Sequence, residues 1–134
     1  MLRNGGDPRL IRVVERARQL GIKILCGTDT GDNVFMPFGE LHAKELEIFV
    51  TYCGFTPMEA IVAATRDNAF AMGLADDLGV LEAGRLADVL ILTKDPLADI
   101  RVLHGGQHVA AVIKGGKVVD LQRLGADTPL ALSV

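Results

Sequence analysis

The chain has 134 residues, 49% of them hydrophobic and 23% charged, which is enough apolar sequence to bury a core and argues against disorder. A net charge of -3 offers no basic surface for nucleic acid, and no apolar run approaches the ~20 residues that a membrane helix needs. We therefore expect a cytoplasmic α/β protein, one domain or parts of two, that binds neither nucleic acid nor a membrane.

The first predicted element is a helix that follows Asp7-Pro8, an N-cap residue with proline at the first helical position. Apolar residues recur at helical spacing along one stripe, and Gly21 supplies a C-terminal stop. The stripe comprises Leu10, Ile11, Val13, Val14, Ala17 and Leu20. A helix followed at once by an apolar run is typical of half of a repeated strand-helix unit.

Residues 22–29 follow this helix and contain an apolar run at residues 24–26, which Gly27 closes. A run without alternation predicts a strand buried on both faces, as in a parallel sheet covered by helices. Because chemistry collects at the C-terminal ends of such strands, Asp29 is the first candidate functional residue. The alternative is that residues 28–33 form a polar turn with an Asx cap, and this stretch alone leaves both interpretations open.

Three further helices are predicted in the first part of the chain. One spans residues 40–52, with apolar positions at Leu41, Leu46, Phe49 and Val50. A capping box with proline at its second position, residues 56–59, starts the next helix. A second short helix, from about residue 66 to 72, stops at Gly73, the glycine position of a left-handed C-terminal cap. We expect this alanine-rich pair of short helices to pack closely.

Beyond these helices the pattern changes from helical spacing to short strands. Residues 87–92 predict one strand, and residues 109–113 with residues 117–119 predict a hairpin. Gly115-Gly116 between the last two is a strong signal for a two-residue turn. Three strands cannot close a barrel or a sandwich, so this part of the chain predicts an incomplete lobe.

Five motifs occur in order between residues 21 and 120, and their spacing makes the set far more specific than any one of them. They are Gly27-Thr28-Asp29; residues 54–61 followed by Ala64-Thr65 and Asn68-Ala69; residues 78–88; Asp95-Pro96-Leu97; and residues 112–118. In this order they resemble the C-terminal end of metal-dependent amidohydrolases, close to imidazolonepropionase-like and Xaa-Pro dipeptidase-like members.

The resemblance implies a C-terminal fragment of a (β/α)₈ metallo-hydrolase barrel, made of its last helix-strand-helix units, followed by part of a small β-sandwich lobe. Residues 1–74 would end the barrel domain, residues 75–120 would form the partial lobe, and residues 121–134 would be a C-terminal tail. It also implies that Asp29 ends strand eight, binds zinc or another divalent metal, and serves as the proton shuttle for the attacking water. Asp88 matches a position that is structural in the family.

By the same resemblance, the complete enzyme hydrolyses a non-standard peptide, amide or cyclic amide C–N bond in a small molecule such as a dipeptide. Thr28 and Thr30 flank the aspartate and His42 follows the strand-eight loop, so these three residues are candidate substrate contacts. Threonine hydroxyls in such loops also satisfy backbone groups. His42 with Glu45 has the i,i+3 spacing of a metal pair, but we favour a solvated helix face because no third ligand is in sequence reach.

The resemblance is incomplete, because the family's other metal ligands have no counterpart here. Those ligands are a His-x-His on the first strand, a lysine or glutamate on the fourth, and histidines on the fifth and sixth. Besides His42 the chain has only His104 and His108, which we expect in a surface loop around Gly105-Gly106. We therefore expect the isolated chain to be incomplete and inactive, to bind no metal tightly, and to associate with itself or with a missing N-terminal part. The alternative is a non-catalytic α/β module that self-associates or binds a partner.

Overall fold

The computed structural model describes residues 7–29 and 40–121, which form a mixed helix and sheet α/β fold. Helices dominate the first part of the described chain and a small antiparallel sheet the last. The helical elements are α1 (Pro8–Gln19), α2 (Glu40–Tyr52), α3 (Pro57–Val62), a π-helical segment (Ala63–Asp67), α4 (Asn68–Ala71) and a 3-10 helix (Ile100–Gly106). The strands are β1 (Val89–Leu92), β2 (Val109–Lys114) and β3 (Lys117–Val118). None of the helices in these ranges combines the length and the apolar content that crossing a membrane requires.

Helix α1 begins as its sequence predicts, because an Asp7 carboxylate oxygen accepts a hydrogen bond from the Arg9 backbone N–H at 2.9 Å. Gly21 follows the helix with a φ of +72°. The apolar stripe is only partly used: Val14 packs against the core, whereas Leu10 is 66% exposed and Leu20 is 59% exposed. Much of the apolar face of α1 is therefore uncovered by the described residues.

The core lies between α2, α3, the π-helical segment and the 3-10 helix. Its buried members are Leu46, Phe49, Cys53, Phe55, Ala60, Ala63 and Ile100. The rings of Phe49 and Phe55 stack with their centroids 4.8 Å apart. Ala60 is 0% exposed and Ala63 is 2% exposed, so this alanine-rich helical stretch packs closely in the core. Side chains this small allow neighbouring backbones to approach.

Arg18 joins α1 to the turn between α2 and α3, a role that the sequence did not indicate. Its Nη1 donates to the backbone oxygens of Cys53 at 3.0 Å and Gly54 at 2.6 Å. Its Nη2 lies 3.1 Å from a Glu59 carboxylate oxygen, and its guanidinium carbon lies 4.0 Å from the centroid of the Phe55 ring. One cation thus satisfies two carbonyls where α2 ends and holds the capping carboxylate of α3.

The two short helices predicted between residues 57 and 72 are one continuous helix, so the predicted break is wrong. The π-helical segment lies between α3 and α4, and the residues at its junctions, Ala63 and Asn68, have right-handed helical φ and ψ. Thr65 Oγ1 donates to the carbonyl oxygen of Ile61 at 2.7 Å within this wider turn. Gly73 ends the helix with a φ of +72°, as expected of a left-handed cap.

The strand predicted at residues 24–26 stays a prediction, because residues 22–29 form no ladder with any described residue. Burial alternates instead: Ile24 and Cys26 are half-buried against the core, while Leu25 between them is 40% exposed. This is the period of an extended chain with one covered face. A strand buried on both faces needs neighbouring strands, and the described part of the chain places none beside this segment.

The small sheet has the order β1-β2-β3 with antiparallel pairing throughout. Strand β1 starts at Val89, two residues later than predicted, because the Asp88 N–H donates locally to the Leu86 carbonyl oxygen at 2.9 Å in place of a ladder bond. The predicted hairpin is confirmed: Gly115 and Gly116 have φ of +56° and +78°.

The 3-10 helix was not predicted, and it corrects the surface position expected for His104. Asp99 caps its start by accepting from the Arg101 N–H at 3.0 Å, and Ile100 and Val102 are buried. The helix packs on α2, which places the buried Nε2 of His104 3.6 Å from a Glu47 carboxylate oxygen. The glycine pair indicated a loop, and the backbone does leave the helical conformation there: His104 has a ψ of 143° and Gly105 a φ of +62°.

Candidate functional site

Asp29 is the last described residue before residue 40, and its backbone φ of +50° is unusual for a side chain with a Cβ. The other residues with positive φ in the described ranges are all glycines. Aspartate tolerates the left-handed region better than most residues, and such conformations cluster at functional sites. The residue is exposed, so the carboxylate that the sequence singles out is accessible at the end of the extended segment.

The extended segment before Asp29 is held by side chains from the continuous helix. The Asn68 amide accepts from the Cys26 N–H at 3.1 Å and donates to the Cys26 carbonyl oxygen at 2.8 Å. Three residues earlier, Lys23 Nζ lies 3.0 Å from an Asp67 carboxylate oxygen. The end of the π-helical segment and the start of α4 therefore anchor the segment at two points.

The thiol of Cys26 lies on the face of this segment that is turned toward α2. Its Sγ donates to a Glu45 carboxylate oxygen at 3.0 Å. Burial, together with the hydrogen bond to Glu45 and its negative charge, raises the pKa of the Cys26 thiol to about 12. A raised pKa keeps the thiol protonated at neutral pH, which disfavours its action as a nucleophile.

The structure describes two of the three candidate substrate contacts. Thr28 is half-buried beside Asp29, whereas Thr30 lies outside the described residues. His42 is exposed on α2, and Glu45 accepts a hydrogen bond from Cys26. The choice between a metal pair and a solvated face for His42 stays open, although one Glu45 oxygen is already engaged by the Cys26 thiol.

A metal shell can be tested against the donors that the structure brings together. Within residues 7–29 and 40–121, no three His, Cys, Asp or Glu side chains lie close enough to hold an ion. A zinc site uses three or four protein ligands, and Asp29 is suited to one of those positions because its carboxylate is a hard oxygen ligand. The described residues thus fit part of a divalent-metal shell.

Asp88 was expected to be structural, and its contacts agree with that expectation. One carboxylate oxygen accepts from the Gly115 N–H at 2.7 Å and the other pairs with the Lys114 ammonium. The ammonium and this N–H hold the pKa of Asp88 below its ordinary value. The residue ties the entry to β1 to the hairpin turn and lies far along the chain from Asp29.

Sequence reasoning missed Asn68 as part of the site, although the residue belongs to one of the quoted motifs. The signal available was a consecutive Asp67-Asn68 pair within an otherwise alanine-rich helix. A half-buried polar residue at such a position needs a hydrogen-bond partner, but sequence alone does not say that the partner is the backbone of Cys26.

Comparison with known proteins gives a consistent result. The profile of the Amidohydrolase family matches residues 8–119. The chain is 38% identical to ochratoxinase of Aspergillus niger over 109 residues, which is 81% of this chain and 22% of that protein. It is 32% identical to imidazolonepropionase of Geobacillus kaustophilus over 108 residues, 81% of this chain and 24% of that protein.

A solved structure supports the same assignment. The crystal structure of a Xaa-Pro dipeptidase with bound methionine in the active site matches 84% of this chain and 26% of its own, with a TM-score of 0.71 and 33% identity. The chain spans about a quarter of the length of the relatives it matches. With the family profile covering most of the sequence, the chain belongs to the amidohydrolase family.

Proposed function

We propose that this chain is the C-terminal segment of a metal-dependent amidohydrolase that hydrolyses a non-standard peptide, amide or cyclic amide C–N bond with a metal-activated water. The observation that carries the proposal is the exposed carboxylate of Asp29, held in a left-handed conformation at the end of a tethered extended segment. Members of this family hydrolyse amide or peptide bonds, which supports the reaction class.

For the architecture, we propose that residues 22–29 form strand eight of a (β/α)₈ barrel and that residues 1–74 end the barrel domain. Residues 75–120 would then be part of a β-sandwich lobe. The alternating burial of residues 22–29 supports this, since one face packs on helices and the other is free to meet further structure. The chain covers about a quarter of each relative's length, which is the share that such a segment would represent.

For the chemistry, we propose that Asp29 is both a metal ligand and the proton shuttle. A bound divalent ion, zinc or another, would supply a water whose pKa is lowered to ~7. The Asp29 carboxylate would hold the ion through one oxygen, take the proton of the attacking water, and pass it to the leaving nitrogen. Thr28, Thr30 and His42 remain proposed contacts for a small amide or dipeptide substrate.

The exposed apolar face of α1 supports association with further amidohydrolase structure. Val13 is 65% exposed and, together with Leu10 and Leu20, forms an apolar surface. We propose that the missing N-terminal part of the barrel covers this face and supplies the remaining metal ligands. The chain alone would then bind metal weakly and be inactive.

The test is Asp29→Asn in the longer polypeptide that carries this segment. Asparagine keeps the size and one ligating oxygen but cannot accept the proton, so kcat should fall by about 100-fold or more while KM changes little. Metal content, measured by elemental analysis, should fall less than activity. The matched control is Asp32→Asn, which changes a carboxylate three residues further along the sequence, outside the described residues.

The proposal fails if Asp29→Asn keeps near-normal turnover, or if Asp32→Asn is equally damaging. Either result would favour the capped polar turn as the explanation of residues 28–33. A catalytically active enzyme whose Asp29→Asn variant loses turnover but keeps substrate affinity supports the assigned role.

A further inference from the structure

We infer that Asn68 is a positioning residue for Asp29: its side-chain amide binds both backbone groups of Cys26 and fixes the extended segment that ends in the carboxylate. The inference rests on the proposed function of Asp29, but its geometric half stands on this chain alone. Asn68 touches neither the substrate nor the reacting atoms in this assignment, and it acts through the backbone of residues 26–29.

The two hydrogen bonds of Asn68 are made to the two backbone groups of a single residue. Its Oδ1 accepts from the Cys26 N–H at 3.1 Å and its Nδ2 donates to the Cys26 carbonyl oxygen at 2.8 Å. Directly paired residues in an antiparallel ladder exchange the same two bonds. One planar amide therefore gives Cys26 a partner for both of its backbone groups.

Two bonds constrain the segment more than one would. A single hydrogen bond leaves the peptide groups free to pivot, whereas simultaneous contacts to N–H and C=O fix the orientation of the peptide planes on both sides of Cys26. Asp29 follows only three residues later, a reach of about 10 Å for extended chain. The half-buried side chains of Ile24 and Cys26 keep one face of the segment on the core.

The π-helical segment ends where two adjacent side chains of the helix contact the extended segment. Consecutive side chains on a regular α-helix point about 100° apart, so adjacent residues seldom anchor the same strand. Here Asp67, the last residue of the π-helical segment, pairs with Lys23, while Asn68 binds Cys26. Single π-helical turns within α-helices occur frequently at functional sites. The side chains of Asp67 and Asn68, at the end of this one, both contact the segment before Asp29.

A purely structural role for Asn68 makes different predictions from a positioning role. If the amide only stabilises the helix, its loss lowers global stability and affects the Cys26 amide no more than other amides. If it positions the segment, the loss is local: backbone protection at Cys26 falls, and turnover falls more than substrate affinity.

The first experiment measures hydrogen exchange of the Cys26 amide by NMR in the full 134-residue chain. Asn68→Leu has similar size but lacks both hydrogen-bonding groups, so the protection factor at Cys26 should fall about tenfold. Lys23→Met is the matched control, because it removes the neighbouring ion pair with Asp67 and leaves both amide bonds in place. Protection at Cys26 in that control should stay within about twofold of the unmodified chain.

A second variant keeps the test decisive if Asn68→Leu does not fold. Asn68→Asp has nearly the same shape, but its ionised carboxylate places an oxygen against the Cys26 carbonyl oxygen in place of the N–H donor. Protection at Cys26 should therefore be low at neutral pH and recover as the pH falls and the carboxyl group is protonated, since a carboxylic acid again donates and accepts. Comparison with the unmodified chain at each pH removes the background from the Lys23–Asp67 pair.

The kinetic half uses the longer enzyme that contains this segment. Asn68→Leu should lower kcat by about tenfold or more with KM within about twofold, because displacement of a catalytic group acts on the chemical step. Asn68→Asp should show a turnover profile that improves toward low pH relative to the unmodified enzyme.

The outcomes separate this inference from the proposed function. Unchanged Cys26 protection in both Asn68 variants overturns the inference whatever Asp29 does. Normal turnover in Asn68→Leu, with Asp29→Asn impaired, also overturns the inference and leaves the proposed function standing. A large loss of Cys26 protection with Asp29→Asn fully active overturns the proposed function and with it the positioning role.

Discussion

The sequence predicts strands both in the hairpin and at residues 24–26, and in the structure these two stretches differ in their backbone hydrogen-bond partners. The hairpin of β2 and β3 forms its ladder within ten residues, with Lys114 opposite Lys117 and Gly115-Gly116 at the turn. Residues 22–29 form no ladder with the described residues, and their anchors come from Asn68 and Asp67, more than 40 residues away. The difference lies in where each segment finds partners for its backbone groups.

The comparison separates local from distant information. A two-residue turn with φ above zero at both positions selects the hairpin register by itself. An extended segment with one covered face depends instead on the exact placement of a helix that lies later in the sequence, including its wider π-helical turn. Substitutions at distant contacts should therefore disturb residues 22–29, whereas substitutions at local turns should leave them unchanged.

The largest effect is expected at Gly79, which lies against the π-helical segment and the start of α4. A Cβ at this position would come 2.6 Å from Ala69 Cβ and 3.1 Å from the Thr65 carbonyl oxygen, and the φ of +95° is strained for alanine. Gly79→Ala should destabilise the fold by about 3 kcal/mol, a fall in Tm of roughly 10 °C. Since the clash acts on the helix that carries Asn68, exchange at Cys26 should accelerate as well.

Gly84→Ala is the control for this substitution. Gly84 has a similar φ of +89°, yet among the described residues no atom beyond its chain neighbours lies within 4 Å of the position that a Cβ would occupy. Only backbone strain applies, and the loss should be about 1 kcal/mol with Cys26 exchange unchanged. Equal losses in calorimetry at the two glycines would show that the contact of Gly79 with the helix has no energetic weight.

The same division explains how much of the fold could be predicted. Features encoded within a few residues were predicted correctly: the Asp7-Pro8 start of α1, the capping box at Thr56, and the glycine turn of the hairpin. The errors concern elements whose conformation depends on packing, namely the continuous helix at residues 57–71 and the missed 3-10 helix. The 3-10 helix forms because Ile100 and Val102 are buried, with Ile100 in the core cluster, which the glycine-rich sequence did not indicate.

The candidate site divides in the same way. Asp29 could be found from sequence, since it follows an apolar run in a motif that resembles the family. Three other features could not be predicted, because each depends on residues that meet only after folding. They are the left-handed backbone of Asp29, the hydrogen bonds of Asn68 to Cys26, and the hydrogen bond from the Cys26 thiol to Glu45. Of the donors needed for a metal, the sequence points to this one carboxylate, and within the described residues no three possible ligands lie close together.

Gly116→Val tests the local half of the comparison with an intermediate effect. The φ of Gly116 is +78°, and among the described residues nothing beyond its chain neighbours lies within 4 Å of the position that a Cβ would occupy. Backbone strain in the turn is therefore the main cause of the destabilisation. A β-branched residue there should destabilise the sheet by about 1 to 2 kcal/mol, seen as a lower Tm. Exchange at Cys26 should not change, and a faster Cys26 amide would mean that the lobe and residues 22–29 are coupled.

The smallest effect is expected from Glu59→Gln, which changes a charge in the capping box of α3. Glu59 accepts from the Thr56 N–H at 2.7 Å and from Thr56 Oγ1 at 3.0 Å, and these bonds, with help from Arg18, hold the pKa of Glu59 below its ordinary value of 4.5. Glutamine can keep the capping geometry, so only the benefit of the charge is lost, about 0.5 kcal/mol because half of the side chain is exposed and screened by solvent.

The pH dependence gives this last prediction its sign. A carboxyl group whose pKa is lower in the folded state stabilises the fold fully above its unfolded pKa and loses that contribution as the pH falls through the folded value. The stability difference between the unmodified chain and Glu59→Gln should therefore be present above about pH 5 and shrink steadily below pH 4.5. Denaturant titrations at several pH values measure it, and a difference that is constant from pH 7 to pH 3 would show that the ionised carboxylate contributes nothing. Because the capping box is built from residues three apart, Cys26 exchange should be the same in both proteins across this range, which would place Glu59 with the hairpin turn among the local determinants.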